Sequence, residues 1–196
     1  MSDNSLTDAT KWDRIHSTRD PAPPRAATVL IQNQHLLPAA GVALDLACGR
    51  GGNALLLAAH GLQTSAWDIS GVALAALHKT AIDAGFQITT DCRDVTANPP
   101  SPSSQDVIVV SHFLDRALAP HLIAALRPVG LLFYQTFVRA VVDATGPSNP
   151  HYRLDPNELL ELFRPLHILV YREEGTVGDV KQGWRNEAML IGQKTA

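Results

Sequence analysis

Short apolar runs and longer stretches of helical spacing alternate along this chain. The runs Val42-Ala43-Leu44-Asp45-Leu46 and Thr64-Ser65-Ala66-Trp67, residues 86–92, the β-branched Asp106-Val107-Ile108-Val109-Val110-Ser111 and residues 131–137 are short and bounded by polar or turn-forming residues. Each predicts a buried strand. Residues 167–171 and 188–191 predict two more, joined through a polar, glycine-containing turn as an antiparallel hairpin. Helices are predicted in the intervals. The first covers residues 24–37, with Val29, Leu30, Asn33, Leu36 and Leu37 near one face and Pro38 and Gly41 as its stop. The second runs from Asn53 to a cap at His60-Gly61, and the third from an N-cap at Ser70 to Gly85. A fourth spans residues 118–126 before Pro128 and Gly130. Asp155-Pro156-Asn157-Glu158 opens a last one, with Asp at the N-cap, Pro at N1 and Glu at N3. Strands alternating with helices predict an α/β fold: a Rossmann-like, doubly wound sheet of seven strands, mostly parallel with an antiparallel last strand.

Composition narrows this picture. At 196 residues, 45% hydrophobic and with a mean hydropathy near zero, the chain fits one domain with a sizeable core. Residues 24–196 are expected to form that domain, preceded over residues 1–23 by a tail and arm. The tail is expected mobile to Thr10, and the arm irregular from Lys11 to Arg25 because of Pro21, Pro23 and Pro24. A net charge of −3 argues against a broad nucleic-acid or membrane surface. No stretch approaches about 18 unbroken apolar residues, and no basic-then-apolar leader opens the chain, so a cytoplasmic location is expected. Cys48 and Cys92 lie in segments that read as buried, without a disulfide framework. The 8 histidines show no ligand spacing, and no metal site is expected.

The candidate chemistry lies where strands end. Ligands of doubly wound sheets bind beyond the carboxyl ends of the strands, and Asp45, Asp68, Asp94 and Ser111 all fall there. Between the first two acids runs Ala47-Cys48-Gly49-Arg50-Gly51-Gly52-Asn53, a small-residue turn that lets backbone approach a ligand and leads into a helix N-terminus. Two carboxylates flanking such a turn suit a cationic amine and a ribose diol, and S-adenosylmethionine carries both. Asp45-Leu46-Ala47-Cys48-Gly49-Arg50-Gly51-Gly52-Asn53 with Trp67-Asp68 resembles the cofactor loop of class I S-adenosylmethionine-dependent methyltransferases, more narrowly the small tellurite-resistance type. The likeness extends over nearly the whole chain and is strongest in the cofactor half.

The resemblance implies a cofactor site formed by Asp45, Leu46, Ala47, Cys48, Gly49, Gly51, Asn53, Asp68, Ile69, Asp94, Val95 and Ser111. Asp45 would lie by the methionine amino group, Asp68 would accept from both ribose hydroxyls, Ile69 would pack on adenine, and Asp94, with Val95 beside it, would accept from the adenine amine. Ser111 and His112 would face the sulfonium, with His112 the candidate base. Trp12, Arg139, His151 and Arg153 are candidates for holding a small acceptor, such as tellurite, selenite or a thiol, and the arm carrying Trp12, Arg14 and Arg19 would cover the site. Cys48 reads as a packing residue.

Rival readings remain. Gly49-Arg50-Gly51-Gly52-Asn53-Ala54 also fits a nicotinamide-dinucleotide fingerprint, with Asp68 at about the expected spacing, although Asp45 would then repel a pyrophosphate. Asn98-Pro99-Pro100-Ser101 echoes DNA amino-methyltransferases but follows the third strand and lacks the aromatic residue that stacks on a flipped base. A noncatalytic protein that binds S-adenosylmethionine and regulates another process would show the same loop. Oligomeric state is open.

Overall fold

In the computed structural model, residues 8–18 and 22–196 are described. Seven strands form one sheet in the order β3-β2-β1-β4-β5-β7-β6. They are β1 (Val42–Leu46), β2 (Gln63–Asp68), β3 (Ile88–Cys92), β4 (Gln105–Ser111), β5 (Leu126–Phe137), β6 (His167–Arg172) and β7 (Glu187–Gln193). All neighbours through β5 pair in parallel, and β7 runs antiparallel between β5 and β6. The order reverses between β1 and β4, and a crevice at their carboxyl ends is the place where such sheets bind ligands.

Period-two alternation sends successive side chains to opposite faces of this sheet. On one face Leu44, Leu46, Ile108, Val110, Leu132, Tyr134 and Leu190 pack under α5 (Ala119–Ala125) and α6 (Glu158–Leu162). On the other, Ala43, Val107, Val109, Phe133, Met189 and Ile191 pack under α2 (Thr28–Gln32) and α3 (Gly52–Ala59). Two faces covered by helices explain why the strands read as runs and not as alternations. The same alternation puts Asp45, Ser111, Gln135 and Glu187 on the α2–α3 face, at the upper end of β1, β4, β5 and β7 respectively.

Several predicted elements differ from those observed. The arm is not irregular: α1 (Asp8–Ser17) is a helix packed on α4 (Gly71–Asp83). The predicted helix over 24–37 is only α2 and a 3-10 turn at Gln34–Leu36, because Ala27 is extended and gives its N–H to Asn53. β5 begins at Leu126, where Pro128-Val129-Gly130 lies in a break of register with β4. Asp155 does not cap α6: it pairs with Arg139, and Asn157 enters the helix at φ 63°. Cys92 is exposed, since β3 is the edge of the sheet. No helix of the described residues is long and apolar enough to cross a membrane.

Candidate active site

The turn after β1 is made of left-handed residues: Ala47 at φ 54°, Gly49 at 52° and Gly51 at 75°. A Cβ on Gly51 would lie 2.3 Å from Leu77, and one on Gly52 would lie 2.2 Å from the Arg25 carbonyl. Side chains at either position would push α4 or the 22–27 segment off the loop. This is why the sequence needs glycine twice here. At Gly49, an added Cβ would stand 3.4 Å from the His16 ring of α1, an ordinary contact, so there the positive φ is what favours glycine.

Asp68, at the tip of β2, accepts the Gly49 N–H at 2.7 Å and the Ser70 N–H at 2.8 Å. It thereby ties the glycine turn to the start of α4. Asp13 of α1 accepts from Ser70 Oγ at 2.6 Å and Val72 N at 3.2 Å, and those bonds, the Ser70 hydroxyl first, hold its carboxyl below the ordinary range. Trp12 stacks near His16, ring centres 6.0 Å apart, so α1 lies across the glycine turn. Neither Asp13 nor His16 stood out in the sequence, where they sit in an arm without periodic pattern. Arg14 is exposed, and Arg19 lies outside the described residues.

Asp45 is wholly buried. Its carboxylate accepts from Asn53 Nδ2 at 3.1 Å and from the Ala54 N–H at 3.0 Å, inside the first turn of α3. Burial pushes its pKa up to about 7 against the pull of these two donors. The same environment, burial first and then the Asp45 and Asp68 charges, pushes the Cys48 thiol well up, so it stays protonated and unreactive. Asn53 faces inward as a brace: Nδ2 also donates to Ser111 Oγ at 3.0 Å, and Oδ1 accepts the Ala27 N–H at 2.8 Å. Leu46 and Val95 point into the core. Ile69 is half-buried beside Asp68. Asp94 is exposed and closes a turn on Thr96, whose hydroxyl and N–H hold its carboxyl low.

Beyond Ser111 lies a cavity of about 370 Å³ lined by Arg25 to Thr28, Ser111, His112, Gln135, Trp184, Arg185 and Glu187. His112 has a left-handed backbone, φ 56°, held by its N–H to the Gln135 carbonyl at 2.8 Å. Its Nε2 is 3.0 Å from Glu187 Oε1, and Glu187 Oε2 accepts from Gln135 Nε2 at 2.6 Å. Gln135 Oε1 in turn accepts the Val29 N–H at 2.8 Å. Glu187 escaped the sequence reading because only the antiparallel pairing of β7 with β5 brings it to Gln135 and His112. Gln135 lies in Tyr134-Gln135-Thr136-Phe137, which the sequence offers as a candidate wall of the acceptor site, and it does line this cavity.

None of the four expected acceptor ligands, Trp12, Arg139, His151 and Arg153, lines this cavity. Arg153 is buried and donates to the carbonyls of Val138, Thr145 and Pro147, pinning the 139–153 loop. Arg139 pairs with Asp155 at 2.7 Å, and His151 is exposed against Tyr152. Asn98-Pro99-Pro100 leads into the opposite, amino end of β4, away from Ser111. Among the described residues no three His, Cys, Asp or Glu side chains gather in metal-binding reach.

Residues 43–130 match the methyltransferase domain family model. The probable S-adenosyl-L-methionine-dependent methyltransferase TehB of Haemophilus influenzae is 28% identical over 135 residues, covering 66% of this chain and 47% of TehB. The chain thus spans about half the length of the curated relatives it matches. The crystal structure of TehB from Haemophilus influenzae superposes with a TM-score of 0.69 at 22% identity, over 94% of this chain and 67% of TehB. Geranyl diphosphate C-methyltransferase from Streptomyces coelicolor, solved with S-adenosyl-L-homocysteine, gives 0.67 at 12% identity, over 85% of this chain and 76% of that one. At such identities the solved structures share the fold. The family match covers residues 43–130, under half of the chain, and this strand order is the fold it shares with the solved methyltransferases.

Proposed function

We propose that this chain transfers the methyl group of S-adenosylmethionine to a small-molecule acceptor held in the cavity beside Ser111 and His112. One observation carries this reading. A side-chain-poor turn, two carboxylates and an open polar cavity meet where strand order reverses between β1 and β4. The cofactor supplies an electrophilic methyl on a sulfonium. Asp68 is the residue for the ribose diol, with Ile69, Asp94 and Val95 toward adenine. Asp45 acts at the methionine end through the turn and Asn53, which set where Ala47, Cys48, Gly49 and Ser111 stand. In-line approach then depends on positioning and on exclusion of water, for which α1 is the cover. Tellurite, selenite and thiols are the first acceptors to try.

Calorimetric titration with S-adenosylhomocysteine beside NADH tests the reading. Micromolar binding of the former alone supports it, and binding of NADH alone makes the glycine turn a pyrophosphate cradle. Removing residues 1–23 should weaken cofactor affinity and turnover; unchanged values would deny the arm any covering role.

A further inference from the structure

We infer that His112 and Glu187 form a proton-accepting pair, so that the acceptor is a neutral S–H or O–H nucleophile that loses its proton as it is methylated. This rests on the methyl-transfer reading above and names its substrate class. A carboxylate oxygen accepts, so the imidazole donates a hydrogen bond from Nε2–H to Glu187 Oε1, and in the neutral ring the lone pair is on Nδ1. Glu187 is itself oriented by Gln135, and Gln135 by the Val29 N–H, so three elements fix the carboxylate. A histidine kept for packing would be enclosed. Here the side chain is 44% exposed and borders the cavity, and its backbone is held in a left-handed conformation that a non-glycine residue adopts at a cost. Ser111, the preceding residue, is bonded to the Asn53 brace, which puts the imidazole next to the methionine end of the proposed cofactor site. A neutral imidazole backed by a carboxylate draws a proton. An acceptor already ionised has no use for it.

The step balances. The acceptor's lone pair forms the bond to the methyl carbon, and the pair of the breaking carbon–sulfur bond stays on sulfur, which becomes neutral. The acceptor proton passes to His112, where Glu187 stabilises the imidazolium, and leaves to water through the mouth of the cavity. His112 is the catalytic residue and Glu187 a positioning residue.

The test compares 2-mercaptoethanol with 4-nitrobenzenethiol, which is a thiolate at assay pH, and with selenite and tellurite. In protein that binds S-adenosylhomocysteine as wild type does, His112→Gln should cut kcat on 2-mercaptoethanol by about 100-fold or more, and Glu187→Gln by about 10-fold, with KM little changed. Both variants should keep most of their rate on the preformed thiolate. Apart from turnover, carbethoxylation of His112, read by mass spectrometry, should be fast and be slowed by thioanisole in the cavity. Equal losses on both thiols, methylation of the ionised acceptors alone or of none, or a His112 that stays unlabelled would overturn the inference. Failure to bind S-adenosylhomocysteine would instead strike the reading beneath it.

Discussion

Asn53→Ala removes one side chain and opens three joints at once. The Ala27 N–H loses its acceptor in a buried position, at a cost of about 1–3 kcal/mol for an unpaired donor. Asp45 loses one of its two donors, a charge-assisted bond of about 1.5–3 kcal/mol, and recovers part of that by taking up a proton. Ser111 is half-buried at the cavity and can turn to water, so its share is small. Together the loss is about 3–5 kcal/mol, which in a domain of this size lowers Tm by about 6–20 °C. Asn53→Asp separates the contributions. It keeps an acceptor for Ala27 but sets a second carboxylate against Asp45, where the amide stood 3.1 Å away. Like charges that close favour uptake of a proton by the folded state, so this variant should be the less stable of the two at pH 8 and regain stability as pH falls toward 5. Thermal unfolding by circular dichroism at several pH values, with S-adenosylhomocysteine affinity measured alongside, reads both effects. A Tm for Asn53→Ala within about 2 °C of wild type, or an Asn53→Asp curve flat with pH, would refute the bracing role.

Asp68→Ala removes the acceptor of the Gly49 and Ser70 N–H groups along with the proposed ribose contact, and should weaken S-adenosylhomocysteine binding about 100-fold by calorimetry. Unchanged affinity would mean the ribose lies elsewhere. Asp45 binds its proton more tightly folded than unfolded, so its contribution to stability is whole below pH 3.8 and is lost as pH rises through about 7. Asp45→Asn should flatten that part of the stability–pH profile in denaturant titrations; a slope that survives the substitution belongs to other groups. Arg153→Ala frees the carbonyls of Val138, Thr145 and Pro147 and should cost about 3 kcal/mol, or about 6–12 °C in Tm, with acceptor KM unchanged. A raised KM at an unchanged Tm would instead return Arg153 to the acceptor site.

What the sequence determined by itself was local. Val42 to Asp45 and Asp106 to Ser111 read as buried strands, and Ser70 as an N-cap, because run length and capping chemistry act within a few residues. Ser70 Oγ does accept the Ala73 N–H at 3.1 Å. The glycine turn was legible for the same reason, since left-handed backbone and close approach are demands that Gly49, Gly51 and Gly52 meet on the spot. The alternation of elements carried the sheet and its antiparallel close. Contacts between distant segments were not encoded in any such pattern. Helix α1 forms in an unpatterned arm because Asp13 finds the Ser70 hydroxyl and His16 finds Gly49, partners far along the chain. Asp155 gives up its cap because Arg139 claims it, a choice that depends on how the 139–153 loop folds back. Glu187 reaches His112 across 75 positions of sequence, through the register of β7 on β5, and a shift of one residue there would send its side chain to the other face. Local geometry set where a cofactor loop could stand. Only the pairing of the last strand brought Glu187 to the cavity beside Ser111 and His112.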